Sequence, residues 1–276
     1  MATERATVGN VEIVSVSDGL LPVHPSFLFS GVPPEMYSKA LGGEPAPDGS
    51  LPITRGSFLV RSSGRTVLVD TGIGDKHPGA RGGELLDNLA KLGVRPDEID
   101  VVVNTHLHFD HVGWNCLGRD GAYVPTFPKA EYWIARAEWD FWTEERVLRE
   151  EGPHLASDVL PLKDSAQLRL VDGEAAITRE LSLLPTPGHT PGHCSIAVAS
   201  AGERAIILGD VAHHPLHLTR FWVCAIDELP RLSRRTKRAI AERLIAEGAL
   251  AAAGHFTPNP FGHLVLVDGR RVWRPL

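Results

Sequence analysis

The pattern of apolar and polar residues predicts a series of short strands interrupted by single helices. Residues 8–18 alternate in part between apolar and polar positions, which is typical of a half-buried strand. Later apolar runs predict strands at 58–61, 66–70, 101–104, 132–135, 167–171, 181–185, 194–199 and 205–208. Longer segments predict helices at 84–92, 137–149 and 232–247. This order favours an α/β fold of layered sheets whose loops carry the functional site.

A stretch rich in proline and glycine, residues 21–52, separates the first two predicted strands. Its composition predicts a long irregular loop with one short helix. Loops of this length are usually functional or form subunit contacts, so this one could support a homodimer. No internal repeat and no linker rich in glycine or serine divides the chain. We therefore expect a single domain over residues 1–276.

Composition and charge narrow the class of protein. The chain has 276 residues, 43% of them hydrophobic, which is enough to bury a sizeable core. Its formal net charge of -6 argues against nucleic acid as a partner, since neutralising phosphates needs lysine and arginine clustered on one face. The one basic cluster, between Arg231 and Arg238, is predicted to be a solvated helix face.

Cysteine usage and the N-terminal segment bear on the compartment. Cys116, Cys194 and Cys224 cannot all pair, and none lies in a Cys-x-x-Cys arrangement, which favours a reducing compartment. The N-terminus has no basic segment followed by an apolar one, and no window approaches the roughly 18 apolar residues of a membrane span. We expect a cytoplasmic protein that does not enter the membrane.

Three histidines and an aspartate lie within six positions directly after a predicted strand: His106, His108, Asp110 and His111. Imidazole and carboxylate together suit divalent transition metals, zinc first, with iron, manganese, cobalt or nickel as alternatives. In an extended or turning segment His106 and His108 project to the same side and can share one ion. Asp110 and His111 then turn toward a second ion.

Later loops supply further candidate ligands, which two ions held by only four clustered residues would need. His189 lies in a turn rich in proline and glycine after one predicted strand. Asp210 follows the apolar run at 205–208, and His255 follows an alanine-rich segment. The sequence therefore predicts a metal site assembled from several loops.

These blocks resemble the metallo-β-lactamase superfamily and cover most of the chain in the family's order, with Val69-Asp70-Thr71-Gly72 as a further match. The resemblance implies two metal ions bridged by Asp210, the first held by His106, His108 and His189 and the second by Asp110, His111 and His255. It also implies an αββα sandwich of two mixed β-sheets flanked by helices, with the site at the edge between the sheets. Asp70 is expected to orient a ligand histidine or the ligand loop.

The expected chemistry is hydrolysis without a serine or cysteine nucleophile. Two divalent ions bridged by a carboxylate lower the pKa of a shared water, which supplies a hydroxide nucleophile near neutral pH. One ion can also polarise the carbonyl or phosphoryl oxygen of the substrate. Asp110 is placed to orient the hydroxide or to take up its proton.

The surroundings of the motif resemble the branch of quorum-quenching lactonases and methyl-parathion-hydrolase-like enzymes. The long N-terminal loop, the segment Gly-Ser-Phe-Leu-Val at 56–60 and the His-Leu-His-Phe-Asp-His variant carry this resemblance. It implies a small-molecule substrate, either a lactone or a carboxylic or aryl ester, with organophosphate triesters as side substrates. Acyl-homoserine lactonases tend to place a tyrosine three residues after the bridging aspartate, whereas this chain has His213 there. His213 is therefore predicted to contact substrate, and aryl esters and phosphotriesters are favoured over acyl-homoserine lactones.

Two other activities stay open at this point. A thioesterase of the glyoxalase II type would need a basic pocket near the C-terminus, for which Arg270, Arg271 and Arg274 are the candidates. A mononuclear iron dioxygenase acting on persulfides shares the early histidine motif. Metal count and identity would discriminate between them and the lactone or ester hydrolase.

Aromatic residues near the motifs could line an apolar pocket for an acyl or aromatic group. The candidates are Trp114, Trp142, Phe221, Trp222 and Phe256. Residues 212–230 could form a lid over the site. Of the remaining histidines, His193 is expected to make a structural hydrogen bond, while surface positions are expected for His24, His77, His154 and His217.

Overall fold

The structure is a computed structural model that describes residues 4–43, 48–77 and 83–276. The strands, in chain order, are β1 Arg5–Val8, β2 Val11–Val23, β3 Leu51–Ser62, β4 Arg65–Val69, β5 Val101–Val103, β6 Cys116–Arg119, β7 Ala122–Pro125, β8 Glu131–Ala135, β9 Leu168–Val171, β10 Ala175–Ala176, β11 Leu181–Pro185, β12 Cys194–Ser200, β13 Glu203–Ile207, β14 Leu250–Ala252, β15 Phe261–Val267 and β16 Arg270–Pro275. The α-helices are α1 Pro25–Leu28, α2 Pro34–Leu41, α3 Leu85–Lys91, α4 Phe109–Val112, α5 Arg136–Trp142, α6 Glu145–Glu151, α7 Pro215–Arg220 and α8 Pro230–Glu247. Shorter helical turns lie at Pro96–Glu98, Leu155–Val159, Leu160–Leu162 and Gly209–Val211.

Two seven-stranded mixed sheets form the centre of the molecule. The first has the order β1-β2-β3-β4-β5-β8-β9 and the second β10-β11-β12-β13-β14-β15-β16. Parallel pairing joins β4 to β5, β5 to β8, β8 to β9 and β13 to β14, while the other neighbours are antiparallel. Both sheets are therefore mixed, as predicted.

The two sheets pack face to face through a core of β-branched and aromatic side chains. Val60 and Val101 of the first sheet and Ile196 of the second are fully buried in it, and the rings of Phe58 and Phe261 meet across the layer at 5.7 Å. A second core lies between the first sheet and helices α3, α5 and α6, and a third between the second sheet and α8. The layer order is helix, sheet, sheet, helix, which confirms the predicted αββα sandwich.

The structure corrects the prediction for residues 21–52. Strand β2 continues to Val23 and β3 already begins at Leu51, and they pair from Val23 opposite Leu51 inward. The connection between them carries two short helices, α1 and α2, rather than one. Residues 44–47 lie outside the described part of the chain. The proline and glycine content hid both strand ends, because prolines tolerated at strand termini resemble those of loops.

Two further predictions need correction. The helix predicted at 137–149 is two helices, α5 and α6, separated at Thr143 and Glu144. Lys237, in the basic cluster predicted to be solvated, is fully buried on α8. In the ranges that the structure describes, no helix has the length and apolar character needed to cross a membrane.

Candidate metal centre

The candidate ligands meet at one edge of the sandwich because their loops follow the same ends of four strands. The loop after β5 carries residues 106–111, and the loop after β11 carries His189. Asp210 follows β13 and His255 follows β14. Strands β11 and β13 are both antiparallel to β12, and β13 is parallel to β14, so their carboxyl ends lie at a common edge.

The predicted ligands form clusters whose donor atoms lie within 4.8 Å of one another. One cluster contains His106, His108, His189 and Asp210, and another contains Asp110, His111 and His255. The structure thus brings together all seven candidates named from the sequence. A third cluster adds His213 to Asp210 and His255.

Asp210 lies at the centre of the clusters, with each carboxylate oxygen facing different imidazoles. Its Oδ1 lies 3.0 Å from His255 Nε2 and 3.3 Å from His111 Nε2. Its Oδ2 lies 3.2 Å from His189 Nε2 and 3.6 Å from His106 Nε2. A carboxylate with two faces of this kind has the donor arrangement of a bridging ligand.

Several polar atoms in the clusters are buried yet lack a hydrogen bond from the described residues. They are Asp210 Oδ1, His111 Nε2 and both ring nitrogens of His213. Unpaired buried polar atoms are costly and rare in proteins. Imidazole and carboxylate donors aimed at common points fit divalent transition metal ions, so the residues present fit the implied metal.

Burial and charge set the protonation of the cluster. Burial lowers the pKa of His106 and His108 well below the usual value, so both imidazoles are neutral and able to bind a metal. Burial also opposes charge on Asp210, but His111 and His255 hold the pKa of its carboxyl well below the usual range. The central aspartate is therefore ionised, the state that a metal ligand requires.

Two of the candidate ligand histidines are positioned by hydrogen bonds that their Nδ1 atoms donate. His111 Nδ1 donates to Asp70 at 2.8 Å, and His255 Nδ1 donates to the Thr54 carbonyl at 2.7 Å. Asp70, in a left-handed conformation with φ 61°, also accepts hydrogen bonds from the amide and hydroxyl of Thr105. It thus contacts both a candidate ligand histidine, His111, and the loop that carries the candidate ligands.

His189 is held by a carboxylate that the sequence analysis did not single out. Its Nδ1 donates to Asp227 Oδ1 at 2.9 Å. Asp227 Oδ2 accepts hydrogen bonds from Ser233 Oγ at 2.7 Å and from the buried ammonium of Lys237 at 2.9 Å. Ser233, Lys237 and Ala241 recur every four residues, which indicates a shared face of α8, but this spacing does not indicate the contact between Asp227 and His189.

Glu138 is a second residue that the sequence analysis missed. This fully buried carboxylate accepts hydrogen bonds from the amides of Leu107 and Gly192 and from Trp142 Nε1. It joins α5 to the loop that carries His106 and to the loop that carries His189. Burial raises the pKa of Glu138. Its sequence neighbours, Ala137 and Trp139, are apolar, and a single carboxylate without ligand spacing offered no distinguishing signal.

The remaining histidines divide into positioning and surface roles. His193 Nε2 accepts a hydrogen bond from the Asp210 amide at 2.9 Å, in agreement with the structural role expected for it. His217 was expected at the surface, but it is fully buried. Its Nδ1 accepts from the His213 amide and its Nε2 donates to the Leu28 carbonyl. His24 is exposed, and His77 and His154 are half-buried.

A cavity of about 1120 Å³ opens beside the clusters, and His213, His255 and Phe256 lie in its wall. Helix α7, within the segment predicted as a lid, contributes to this wall. His213 Nε2 lies 3.0 Å from Asp210 Oδ2, and its ring stacks on that of His255 at 5.0 Å. His213 therefore joins the clusters to the cavity.

The five aromatic candidates do not form one pocket. Besides Phe256 in the cavity wall, Trp142 packs edge-on against His108 at 5.2 Å. Phe221 and Trp222 line a separate surface depression with Arg220. Trp114 lies in the core between the first sheet and its helices and donates to Asp18. Its position supports packing rather than substrate contact.

The amino-acid sequence of the chain is similar to a known protein family and to curated members of it. The family model described as "Metallo-beta-lactamase superfamily" matches residues 56–264. The N-acyl homoserine lactonase AiiA of Bacillus thuringiensis subsp. kurstaki is 26% identical over 169 residues, which are 55% of this chain and 60% of that protein. The chain thus spans about 60% of the length of the first curated relatives it matches.

Solved structures resemble the whole chain. The hydrolase AbOPH, described as in the beta lactamase superfamily, superposes with a TM-score of 0.88 at 24% identity, covering 99% of this chain and 97% of that one. AidC, described as a dizinc quorum-quenching lactonase, gives a TM-score of 0.84 at 21% identity over 99% and 97% of the two chains. These likenesses show a shared fold.

Proposed function

This chain belongs to the metallo-β-lactamase superfamily, and from that premise we propose that it is a dinuclear metal-dependent hydrolase of lactones or carboxylic esters. The observation that carries the proposal is the central Asp210, whose two oxygens face separate histidines. In the proposed centre one ion would be held by Asp210, His106, His108 and His189, and the other by Asp210, Asp110, His111 and His255. Zinc is the metal that we expect.

When bound, two divalent ions would lower the pKa of a water and polarise the substrate's carbonyl. The chain's own residues then supply orientation and proton transfer. Asp110 is half-buried, and its carboxylate oxygens lie 3.9 Å from His111 Nε2 and 3.9 Å from His255 Nε2. From this position it can accept the proton of the attacking water. His213, between the clusters and the cavity, can donate a hydrogen bond to the carbonyl oxygen of the substrate.

Lactones and esters are the proposed substrates because the curated relatives include N-acyl homoserine lactonases and because the cavity beside the clusters can accept a small molecule. The test is metal content per chain, measured beside turnover of a lactone, an aryl ester, a phosphotriester, a thioester and a β-lactam. Two ions with lactone or ester turnover that a chelator abolishes would support the proposal. One iron with oxygen uptake and no hydrolysis would contradict it and favour the dioxygenase.

Asp210→Ala and His106→Ala should each abolish hydrolysis and lower bound metal, because both side chains lie among the predicted ligands. His24→Ala is the control, since His24 is an exposed histidine at the start of α1. It should retain wild-type metal content and turnover. Full activity in Asp210→Ala would exclude the bridging role.

A further inference from the structure

The described residues in the wall of the cavity beside the candidate metal centre carry positive charge and include no carboxylate. Three arginines line it, Arg220, Arg270 and Arg271, among residues that are otherwise apolar or neutral apart from the histidines of the site. This is unusual for a chain whose formal net charge is -6. A cavity lined by one sign of charge concentrates ligands of the opposite sign.

Arg271 is the half-buried arginine among these three, whereas Arg220 and Arg270 are exposed. On β16 the exposure alternates, so that Arg271 and Trp273 are half-buried while Val272 and Arg274 are exposed. The guanidinium of Arg271 lies over the ring of Phe221, 4.6 Å from its centroid. Stacking on an aromatic face fixes the orientation of an arginine and leaves its edge free to bind.

One buried donor of Arg271 is not used by the described part of the protein. Arg271 Nε is buried and lacks a hydrogen-bond partner among the described residues. Among the residues that the structure describes, no ion pair involves Arg220, Arg270 or Arg271. An arginine held in place beside a cavity without a carboxylate partner is suited to a ligand anion.

We propose that the substrate is an ester or lactone that carries an anionic group, such as a carboxylate, at a distance from the bond to be cleaved. This inference rests on the proposed function. The bond lies at the metal centre beside His213 and His255, and the anion lies against Arg271, with Arg220 and Arg270 adding to the positive field. An entirely apolar acyl chain would leave the half-buried guanidinium of Arg271 without compensation in the complex.

The test compares two para-nitrophenyl esters of equal chain length, the neutral hexanoate and the anionic monoester of adipic acid. The wild-type metal-loaded protein should give the higher kcat/KM with the adipate monoester, and high salt should reduce that advantage. Arg271→Gln should lower kcat/KM for the adipate monoester about tenfold or more, mainly through KM, and change that for the hexanoate less than about twofold.

Two further variants separate charge from packing. Arg271→Lys keeps the charge and should recover part of the loss. Arg274→Gln is the matched control, because Arg274 lies on the same strand but outside the cavity wall. Arg274→Gln should leave kcat/KM for both esters unchanged. Equal kcat/KM for the two esters, or equal losses for both in Arg271→Gln, would overturn the inference while leaving the proposed function intact.

Binding provides a readout that does not depend on turnover. The para-nitroanilide analogues of the two esters can be titrated into the protein by calorimetry. The anionic anilide should bind more tightly than the neutral one, and Arg271→Gln should remove the difference. Turnover of neither ester would contradict the proposed function, while the anilide titration would still decide the role of Arg271. Equal binding of both anilides to the wild type would refute that role.

Discussion

At the scale of single residues, the candidate ligands and Asp70 could be named from the sequence, whereas Asp227 and Glu138 could not. His106, His108, Asp110 and His111 are close together in the chain, so their spacing alone predicts a shared site. Asp227 lies 38 positions from His189, and its role depends on a contact formed only when α8 packs against the second sheet. Side chains joined by tertiary structure leave no local spacing to recognise.

The contact between Asp227 and His189 predicts a loss of metal affinity in Asp227→Asn. The change removes the carboxylate that orients His189, and losses of this kind typically lower metal affinity about 10- to 100-fold. Competition with a chromophoric chelator would measure it. Glu228→Gln, an exposed carboxylate at the neighbouring position, is the control and should bind metal as the wild type does. Unchanged affinity in Asp227→Asn would show that Asp227 does not position His189.

The buried carboxyl of Asp158 should make the stability of the protein vary with pH. This effect does not involve the candidate metal centre. Burial raises the pKa of its carboxyl from 3.8 to about 6, although Lys76 lies 2.8 Å away. Between about pH 4 and pH 6 the folded protein therefore holds a proton that the unfolded chain has released, so this group's contribution to stability falls as pH rises. A pKa difference of about two units between the folded and unfolded states corresponds to about 3 kcal/mol in the free energy of unfolding.

Denaturant titrations of the wild type and Asp158→Asn at pH 4 and pH 7 would test this. The free energy of unfolding of the variant, relative to the wild type, should rise by about 3 kcal/mol between the two pH values. Asp172→Asn alters an exposed aspartate that pairs with Arg136, and its difference from the wild type should stay within about 0.5 kcal/mol at both pH values. A constant difference for Asp158→Asn would mean that the buried carboxyl titrates normally.

At the scale of secondary-structure elements, strongly periodic segments were predicted and irregular ones were not. The strand at 101–104 and helix α8 follow clear patterns, and both occur close to the predicted positions. The ends of β2 and β3 were hidden by proline, and Thr143 divides a helix whose apolar spacing continues across the break. Breaks of this kind arise from tertiary packing, which overrides local propensity.

Helix α4, which carries Asp110 and His111, ends at a glycine that permits close backbone contact. A Cβ added at Gly113 would lie 2.0 Å from the carbonyl carbon of Ile73. The Gly113 amide also donates a hydrogen bond to the Gly72 carbonyl at 2.7 Å. The loop after β4 and the ligand helix can approach this closely only because position 113 has no side chain.

Gly113→Ala should therefore destabilise the protein by about 1–3 kcal/mol, since the two segments must separate. Thermal or denaturant unfolding would measure the loss. Gly118→Ala is the matched control, because a Cβ there meets its nearest neighbour, Tyr123, at an ordinary 3.9 Å. It should change stability by less than about 0.5 kcal/mol. Equal effects of the two substitutions would contradict the close approach as the cause.

At the scale of the whole molecule, the two sheets are joined at their common edge by the candidate metal centre. His106 and His111 belong to the loop after the first sheet's β5, whereas Asp210 and His255 follow strands of the second sheet. Metal ions held by these ligands would tie the sheets together. The resemblance to a known family predicted this layered arrangement, while the cavity wall, formed by distant segments, could not be read from spacing.

Removal of metal should consequently lower the thermal midpoint of the whole protein. A ligand present at about 100 times its dissociation constant stabilises a protein by about 2.7 kcal/mol, which corresponds to roughly 5–10 °C for a chain of this size. Scanning fluorimetry before and after chelation would measure the shift, and added zinc should reverse it. Asp210→Ala should show a much smaller shift. A thermal midpoint that stays the same when a chelator removes metal from the loaded wild type would contradict a role for the ions in joining the sheets.

The division between the metal clusters and the cavity wall has an evolutionary consequence. The clusters depend on loops that follow inner strands, whereas much of the wall comes from α7 and from the edge strand β16. Mutations in these outer segments can alter which molecule is accepted while the chemistry at the clusters persists. Selection on such a scaffold can therefore redirect an existing activity toward a new nutrient, signal or toxin through a few peripheral substitutions.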